Sequence, residues 1–577
     1  MRLDAAPLPA SPVPHSLLDE VETLPGALAE LARRFPDFEA LILLDRAGVQ
    51  RISLARLWQR ARDVQAALAA TQLPPGAGVL LILPTSLDLT AAYFGAMLAG
   101  GAPAILSTPF HRYADRRVYV AHVGPIVRLG KPHVVLCTDE VAEIFRTSET
   151  LSAERLAILT PSEVRPCGAP PPLVTPAPHD VAMIQYSSGS TGIPKGVLLT
   201  HRALLDNMRS TRAGLQLTPR DVSLNWTPLY HDMGLIDAYL RPLLGGCTTI
   251  LIPTAEFLRE PSLWLWAIHS YRATISWAPN FAFMLCASRV PDADIDGLDL
   301  SSWRIAVNAS EPCLSHSIEA FARRYAPRRY DPAAMTPAWG MAETVCIATA
   351  KPVGEPPRTE LIDRRGLAIE NRAKPCTGEG LSSVSIGTCL PGCQVEIRDP
   401  DDRPLPDRGV GTIWLKTRSL FRGYQGDPQL TARVVVDGWF NTGDRGYVAD
   451  GHLYFISRQK DLIVIGGEKY APHDVETAIN RVAGVREGCS VAFGVLNEQR
   501  GTEEVAAVVE TRTEDERELD ELRAAIRSEV TRSTGLALRY VVLVPPGGIE
   551  KTTSGKLARG ATRERYVDAL VADGAAR

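Results

Sequence analysis

The 577 residues carry 45% hydrophobic and 22% charged side chains, the balance of a globular protein, and the length exceeds what one core holds, so several domains are expected. A net charge of −4 gives no pull toward nucleic acid or an anionic membrane. Ten cysteines are too sparse for a disulfide scaffold and Asp4, Asp19, Glu20 and Glu22 interrupt any apolar leader, so no signal peptide reads there and a cytoplasmic setting is expected.

Apolar spacing from Leu24 to Ala70 is mostly helical, broken by a strand and turn near Leu41 to Gly48. Val79–Leu83 and Ala104–Leu106 read as buried strands flanking a helix, with a further strand at His133–Cys137, the pattern of parallel βαβ units. The longest apolar run, Ala91 to Leu106, contains Gly100, Gly101 and Pro103 and so predicts helix, turn and strand, with no membrane span. Pro161 to His179 holds seven prolines and reads as a surface linker.

That linker delivers the chain to Tyr186–His201, YSSGSTGIPKGVLLTH. Small residues and hydroxyls (Ser187, Ser188, Gly189, Ser190, Thr191, Gly192) precede Lys195, between two strand-like runs. Glycines let backbone N–H groups turn toward an anion, hydroxyls add donors and the lysine adds a point charge, so the stretch could grip phosphates; a flexible turn has the same composition. It is not a Walker A loop, because Pro194 precedes Lys195 and Gly196 follows it.

A helix is predicted over Arg202–Leu215, then NWTPLYHDMGLI from Asn225 to Ile236, where His231 and Asp232 form either a dyad or a packed aromatic-rich stretch. ISWAPNFAFMLC, Ile275–Cys286, suits an apolar pocket wall or a core helix equally. NASEP at Asn308–Pro312 and WGMAET at Trp339–Thr344 follow, with Trp339 able to stack on a flat ring and Glu343 able to ligate a metal or simply face water. Strand-like alternation over Gln394–Lys416 suggests a small β-barrel, ahead of DGWFNTGD (Asp437–Asp444) and SRQKD (Ser457–Asp461). Strands and helices resume beyond Leu462, including a charged amphipathic helix over Asp515–Thr534, and IEKTTSGKLAR closes the series at Ile549–Arg559. Lysines number only nine, yet Lys195, Lys460, Lys469, Lys551 and Lys556 all fall in these stretches.

In order and residues these stretches resemble the core motifs of the adenylate-forming enzymes: acyl-CoA synthetases, fatty acyl-AMP ligases and peptide synthetase adenylation domains. The resemblance runs from Leu24 to Tyr566, and YHDMGL together with an insertion at about 353–385 is closest to the fatty acyl-AMP ligases. It implies an α/β fold with a large N-terminal domain of doubly wound sheets and a small β-barrel subdomain (residues 1–460), followed by a small mobile C-terminal α/β lid (461–577). It implies ATP and Mg2+, with Ser187 to Gly192 and Lys195 on the phosphates and Thr191 and Glu343 on the metal. Asn308, Ala309, Ser310, Trp339, Gly340, Met341, Ala342 and Thr344 fall to the adenine region, Asp444 and Arg458 to the ribose, and Asp461 to the hinge. His231, Glu343 and Lys556 take the catalytic positions. Ser187, where Thr is commoner, and Glu550, where Pro is usual, depart from the pattern without removing a chemical role.

The implied reaction activates a fatty or related carboxylic acid as acyl-AMP and passes it to a thiol. No Asp-Ser-Leu phosphopantetheine site is present, so the acceptor is a separate acyl carrier protein, or CoA, toward which GGEKYAPHDVE at Gly466–Glu476 leans. Asp232 also leaves an amino-acid substrate open, since adenylation domains place an Asp near this point. A non-catalytic acyl- or nucleotide-binding protein on the same scaffold is the reading from another class, and the joint presence of Lys195, Glu343, Asp444, Arg458 and Lys556 argues against it.

Overall fold

A computed structural model describes residues 8–109, 116–152, 156–187, 194–378, 380–465, 468–497, 502–552 and 555–575. Six parallel strands, led by residues 335–340, 305–308, 275–278, 222–225, 248–251 and 41–45 in spatial order, form the centre of a nine-stranded sheet with antiparallel strands at both edges. Most of these strands are short runs buried along their whole length, such as Thr248–Leu251, Ile275–Ala278 and Ile305–Asn308, because helices cover both faces. A second, all-parallel sheet orders Ala102–Ile105, Gly78–Ile82, Val134–Cys137 and Ala157–Leu159, the βαβ pattern read from the sequence.

A third, antiparallel sheet holds the two arms of the glycine-rich stretch: Val181–Ser187 pairs with Lys195–Thr200, placing Ser187 opposite Lys195. The loop between them, with Ser188, Gly189, Ser190, Thr191 and Gly192, lies outside the described residues. The second arm runs straight into the helix His201–Gly214, whose first turn is capped by the Thr200 hydroxyl on Ala203 N–H at 3.1 Å, a cap that contributes about 1 kcal/mol. His201 is buried there and accepts Leu24 N–H through Nδ1 at 3.3 Å, and burial pushes its imidazole down to about 4, so it is a neutral strut.

Five strands drawn from 393–398, 411–417, 435–436, 439–449 and 452–458 form a half-barrel sheet where a small β-barrel was expected. Within the insertion, Thr359–Ile362 and Leu381–Val384 pair antiparallel around the short helix Arg364–Ala368, and Glu360 anchors the pair through Arg408 and the Tyr447 hydroxyl at 2.7 Å. Beyond Asp461 the chain builds a separate apolar core from Ile463, Val475, Ile479, Ala507, Ile526, Val530 and their neighbours, around a three-stranded sheet. No helix among the described residues is long and apolar enough to cross a membrane.

Two local features were not expected. Ile275–Cys286 splits into a strand, Ile275–Ala278, and a helix, Asn280–Arg289, because Pro279 cannot continue the ladder and starts the helix instead. Met233–Leu240 winds as a π-helix in which every residue is buried, and such wide turns are frequent at functional sites.

Candidate active site

The terminal motif reaches the first of the catalytic positions. Thr552 accepts the Gly555 N–H through its carbonyl at 2.9 Å and the Lys556 N–H through its hydroxyl at 3.1 Å, which holds the backbone at the lysine. Gly555 holds φ at +88°, the left-handed region that side chains disfavour, with the ring of Phe281 in ordinary contact distance beside it. Lys556 Nζ then lies 2.9 Å from His231 Nε2, and His231 Nδ1 lies 2.7 Å from Asp232 Oδ1. With the lysine as ammonium it donates to Nε2, which fixes the proton on Nδ1, where it is given to Asp232.

Burial pulls the Lys556 ammonium down to about 8, while Glu311 and Asp232 act to raise it and Arg458 to lower it. Asp232 is held below the usual carboxylate range: burial alone would raise it, but His231 and Lys556 outweigh that. Burial raises Glu311, moderated by Lys556 and by the Phe281 N–H that reaches its carboxylate at 3.0 Å. The lysine is therefore buried where carboxylates from two separate motifs act on its charge.

A second group sits beneath. Strand pairing sets Asp444 opposite Arg458, with Nε 3.8 Å from Oδ1, and the Trp339 indole N–H donates to Oδ2 at 2.9 Å. Burial raises the Asp444 carboxyl, with Arg458 and Trp339 opposing. Trp339 is only 8% exposed and packs among Ile386, Ile397, Ile413, Leu415 and Leu453, with its indole edge on Asp444. The chain reverses at once, because Gly340 lets Cys346 O approach where a Cβ would lie 1.8 Å away, and Val345 is held at φ +75°, a strained value for a β-branched residue.

Ala342 is buried in this reversal, Met341 is half-buried and donates its N–H to Cys346 O at 2.9 Å, and Thr344 spends its hydroxyl on Met341 O at 3.1 Å. Glu343 points the other way: the Tyr424 hydroxyl donates to its Oε1 at 2.7 Å, and Lys195 Nζ lies 4.9 Å above the same tyrosine ring. Asn308 ends its strand with Nδ2 on Asn280 and with Oδ1 buried and unpartnered among the described residues, Ala309 is buried behind it, and Ser310 follows at φ +72°. Asp461 closes a short turn after Arg458 and accepts from Arg559 at 3.1 Å, while the same guanidinium also donates to Glu476 and to Ala492 O.

Sequence reasoning passed over Tyr424 and left Glu311 without a role. The signal for Tyr424 was GYQGD, a short strand and turn ahead of the helix Pro428–Val434, and nothing in its spacing points at Glu343. The buried pair Asp237 and Arg241 was also missed, being two charges inside an apolar run.

A two-bodied α/β chain whose terminal lysine meets a carboxylate-and-histidine dyad of the large body, which also carries a tryptophan-held aspartate, is the architecture of an adenylate-forming enzyme. The AMP-binding enzyme family model matches residues 28–425, and the chain belongs to that family. It is 35% identical over 94% of its length to a Caulobacter vibrioides protein named as an acyl-CoA synthetase, of which 97% is covered. It is 31% identical over 94% of its length to long-chain-fatty-acid–AMP ligase FadD26 of Mycobacterium marinum, again with 97% of that protein covered. A solved structure from work on the fatty acyl-adenylate ligases of E. coli and L. pneumophila superposes with a TM-score of 0.89 at 29% identity, covering 98% of this chain and all of that one (100%).

Proposed function

We propose that this protein activates a fatty or related carboxylic acid with ATP, forming acyl-AMP and pyrophosphate, and then transfers the acyl group to the phosphopantetheine thiol of a separate acyl carrier protein. The observation that carries the reading is Lys556 at 2.9 Å from His231, a cation from the last motif delivered to a dyad of the large body. The relatives named fatty acid–AMP ligases and the superposed acyl-adenylate ligase support the same chemistry.

Carboxylate attack on an α-phosphate brings two anions together. A buried cation counts most where charge accumulates in the transition state, and Lys556 is placed to bridge the two partners. His231, oriented by Asp232, accepts from the lysine and keeps its amine aimed. Asp444 and Arg458 suit ribose hydroxyls, and the unpartnered Asn308 Oδ1 suits the amino group of an adenine. Lys195, with the loop Ser187 to Gly192, would hold the outer phosphates. Magnesium takes few ligands from protein when phosphates and waters supply the rest, and Glu343, with one oxygen engaged by Tyr424, is the described carboxylate that fits; Thr191 would join it. That ion would draw charge off the phosphates.

The division we propose is residues 1–460 as the adenylation body and 461–577 as a lid that swings about Asp461, in a cytoplasmic enzyme. Mass spectrometry after incubation with ATP and mixed carboxylic acids tests the reading, with enzyme-bound acyl-adenylate as the expected product. Subsequent transfer to a holo-carrier is expected; rapid thioester formation with CoA alone would replace the carrier by CoA, the acceptor that the Caulobacter relative's name suggests.

A further inference from the structure

Glu343 and Lys195 belong to motifs far apart in the chain, yet both meet one side chain that neither motif contains. The Tyr424 hydroxyl donates to Glu343 Oε1 at 2.7 Å, and Lys195 Nζ lies 4.9 Å over the Tyr424 ring. The backbone explains the meeting. Gly423–Tyr424 is a short strand on the edge of the hairpin that carries Lys195, with Gly423 opposite Leu198 and Tyr424 opposite Val197. Gln425 extends the pairing, its N–H donating to Gly196 O at 2.7 Å and its Oε1 accepting from the Tyr186 hydroxyl at 2.9 Å. At the other end, Phe421 N–H donates to the Glu343 carbonyl at 2.8 Å. Residues 421–425 are therefore a strap from the backbone of Glu343 to the strand that begins at Lys195.

Tyr424 is itself held from several sides. It is 7% exposed, its ring packs edge-on against Phe421 at 4.9 Å, and its N–H donates to the Thr431 hydroxyl at 2.9 Å. Glu343 and Lys195, by contrast, are half-buried. Long charged side chains in that setting sample many rotamers, and here each is restrained by a different part of one rigid group. The phenol hydroxyl occupies one carboxylate oxygen and leaves the second open. The ring face attracts an ammonium without neutralising it, whereas a carboxylate in the same place would consume its charge. The two opposite charges thus each contact the tyrosine rather than form a salt bridge with one another.

We propose that Tyr424 is a positioning residue for the metal–nucleotide complex: its hydroxyl presents Glu343 to magnesium, and its ring holds Lys195 toward the phosphates with the lysine's charge unspent. The inference rests on the acyl-adenylation reading above, in which Glu343 and Lys195 have those roles. Outer partners of a metal-binding carboxylate orient it, and removing one typically lowers metal affinity about tenfold to a hundredfold. Because the hydroxyl serves one charge and the ring face the other, substitution can separate the two contributions.

The test is calorimetric binding of ATP to the full-length protein in the absence of carboxylic acid, once with Mg2+ and once with a chelator in its place. Tyr424→Phe keeps the packed ring and deletes the hydroxyl. Its metal-free affinity should match that of the natural protein, while the gain in affinity on adding Mg2+ should shrink about tenfold or more. Tyr424→Leu removes the ring as well and should also weaken metal-free binding, by about threefold. The phenylalanine variant decides alone if the leucine variant does not fold. A full magnesium gain in Tyr424→Phe would overturn the inference, and so would an equal loss with and without Mg2+, the mark of a merely structural side chain. Undiminished metal-free binding in a folded Tyr424→Leu would overturn the part assigned to the ring. ATP binding by the natural protein that gains nothing from Mg2+ would overturn the inference and leave the adenylation reading standing, whereas failure to bind ATP in either condition would strike that reading and this inference with it.

Discussion

Lys556 and His231 are 325 residues apart in the chain and 2.9 Å apart in space. No local interaction could produce that contact, so it reports how the last motif docks onto the large body. Lys556→Ala is expected to lower kcat for acid-dependent pyrophosphate release by about a hundredfold to a thousandfold, the usual loss when one transition-state donor is removed. ATP should still bind, as read by nucleotide titration. An unchanged rate would remove the lysine from the chemistry.

The same lysine sets a pH limb. Its working form is the cation and burial brings it down to about 8, so the adenylation rate should fall as pH rises through that value. Glu311 raises the lysine, and Glu311→Gln should therefore move the limb to lower pH, while Lys556→Arg, charged throughout, should abolish it at reduced rate. A pH–kcat profile decides, and a limb indifferent to both changes would assign it to another group.

Trp339→Phe keeps the packed ring and deletes the 2.9 Å donor to Asp444. Hydrogen bonds to charged groups contribute about 1.5–3 kcal/mol, so KM for ATP should rise about tenfold with kcat little altered. Initial rates across ATP concentrations separate this from a general loss of fold, which would depress both parameters.

Arg241→Ala strands the Asp237 carboxylate, whose burial already holds it above the ordinary range. A cost of about 3–5 kcal/mol in stability is expected, whereas Asp237→Leu/Arg241→Met should come out near neutral. Denaturant unfolding of the two proteins makes the comparison, and equal destabilisation would show the pair to be better compensated than its geometry indicates.

The parts legible in the sequence were those where local chemistry carries the pattern. The glycines and hydroxyls before Lys195, the alternation of the short buried strands and the prolines of the linker each announce a backbone state. Lys556 was legible only through the order of the motifs, since a lysine after Ser-Gly is elsewhere a solvated charge. The surroundings of Trp339 were not legible, because a sequence does not show that this ring packs among Ile386, Ile397, Ile413, Leu415 and Leu453 with its indole N–H on Asp444. Asp237 was hidden in MGLIDAYL, where apolar periodicity reads as core and a π-helical turn has no signature of its own.

Arg559 binds Asp461 and stands three residues beyond Lys556. Under the swing proposed above, the pivot and the tip of the small body are therefore clasped into one lever, and turning at Asp461 withdraws the amine in the same stroke. Formation of the mixed anhydride and its capture by a thiol could then never overlap: their order would be enforced by mechanical linkage within a single guanidinium, with no need for a separate sensor of pyrophosphate departure.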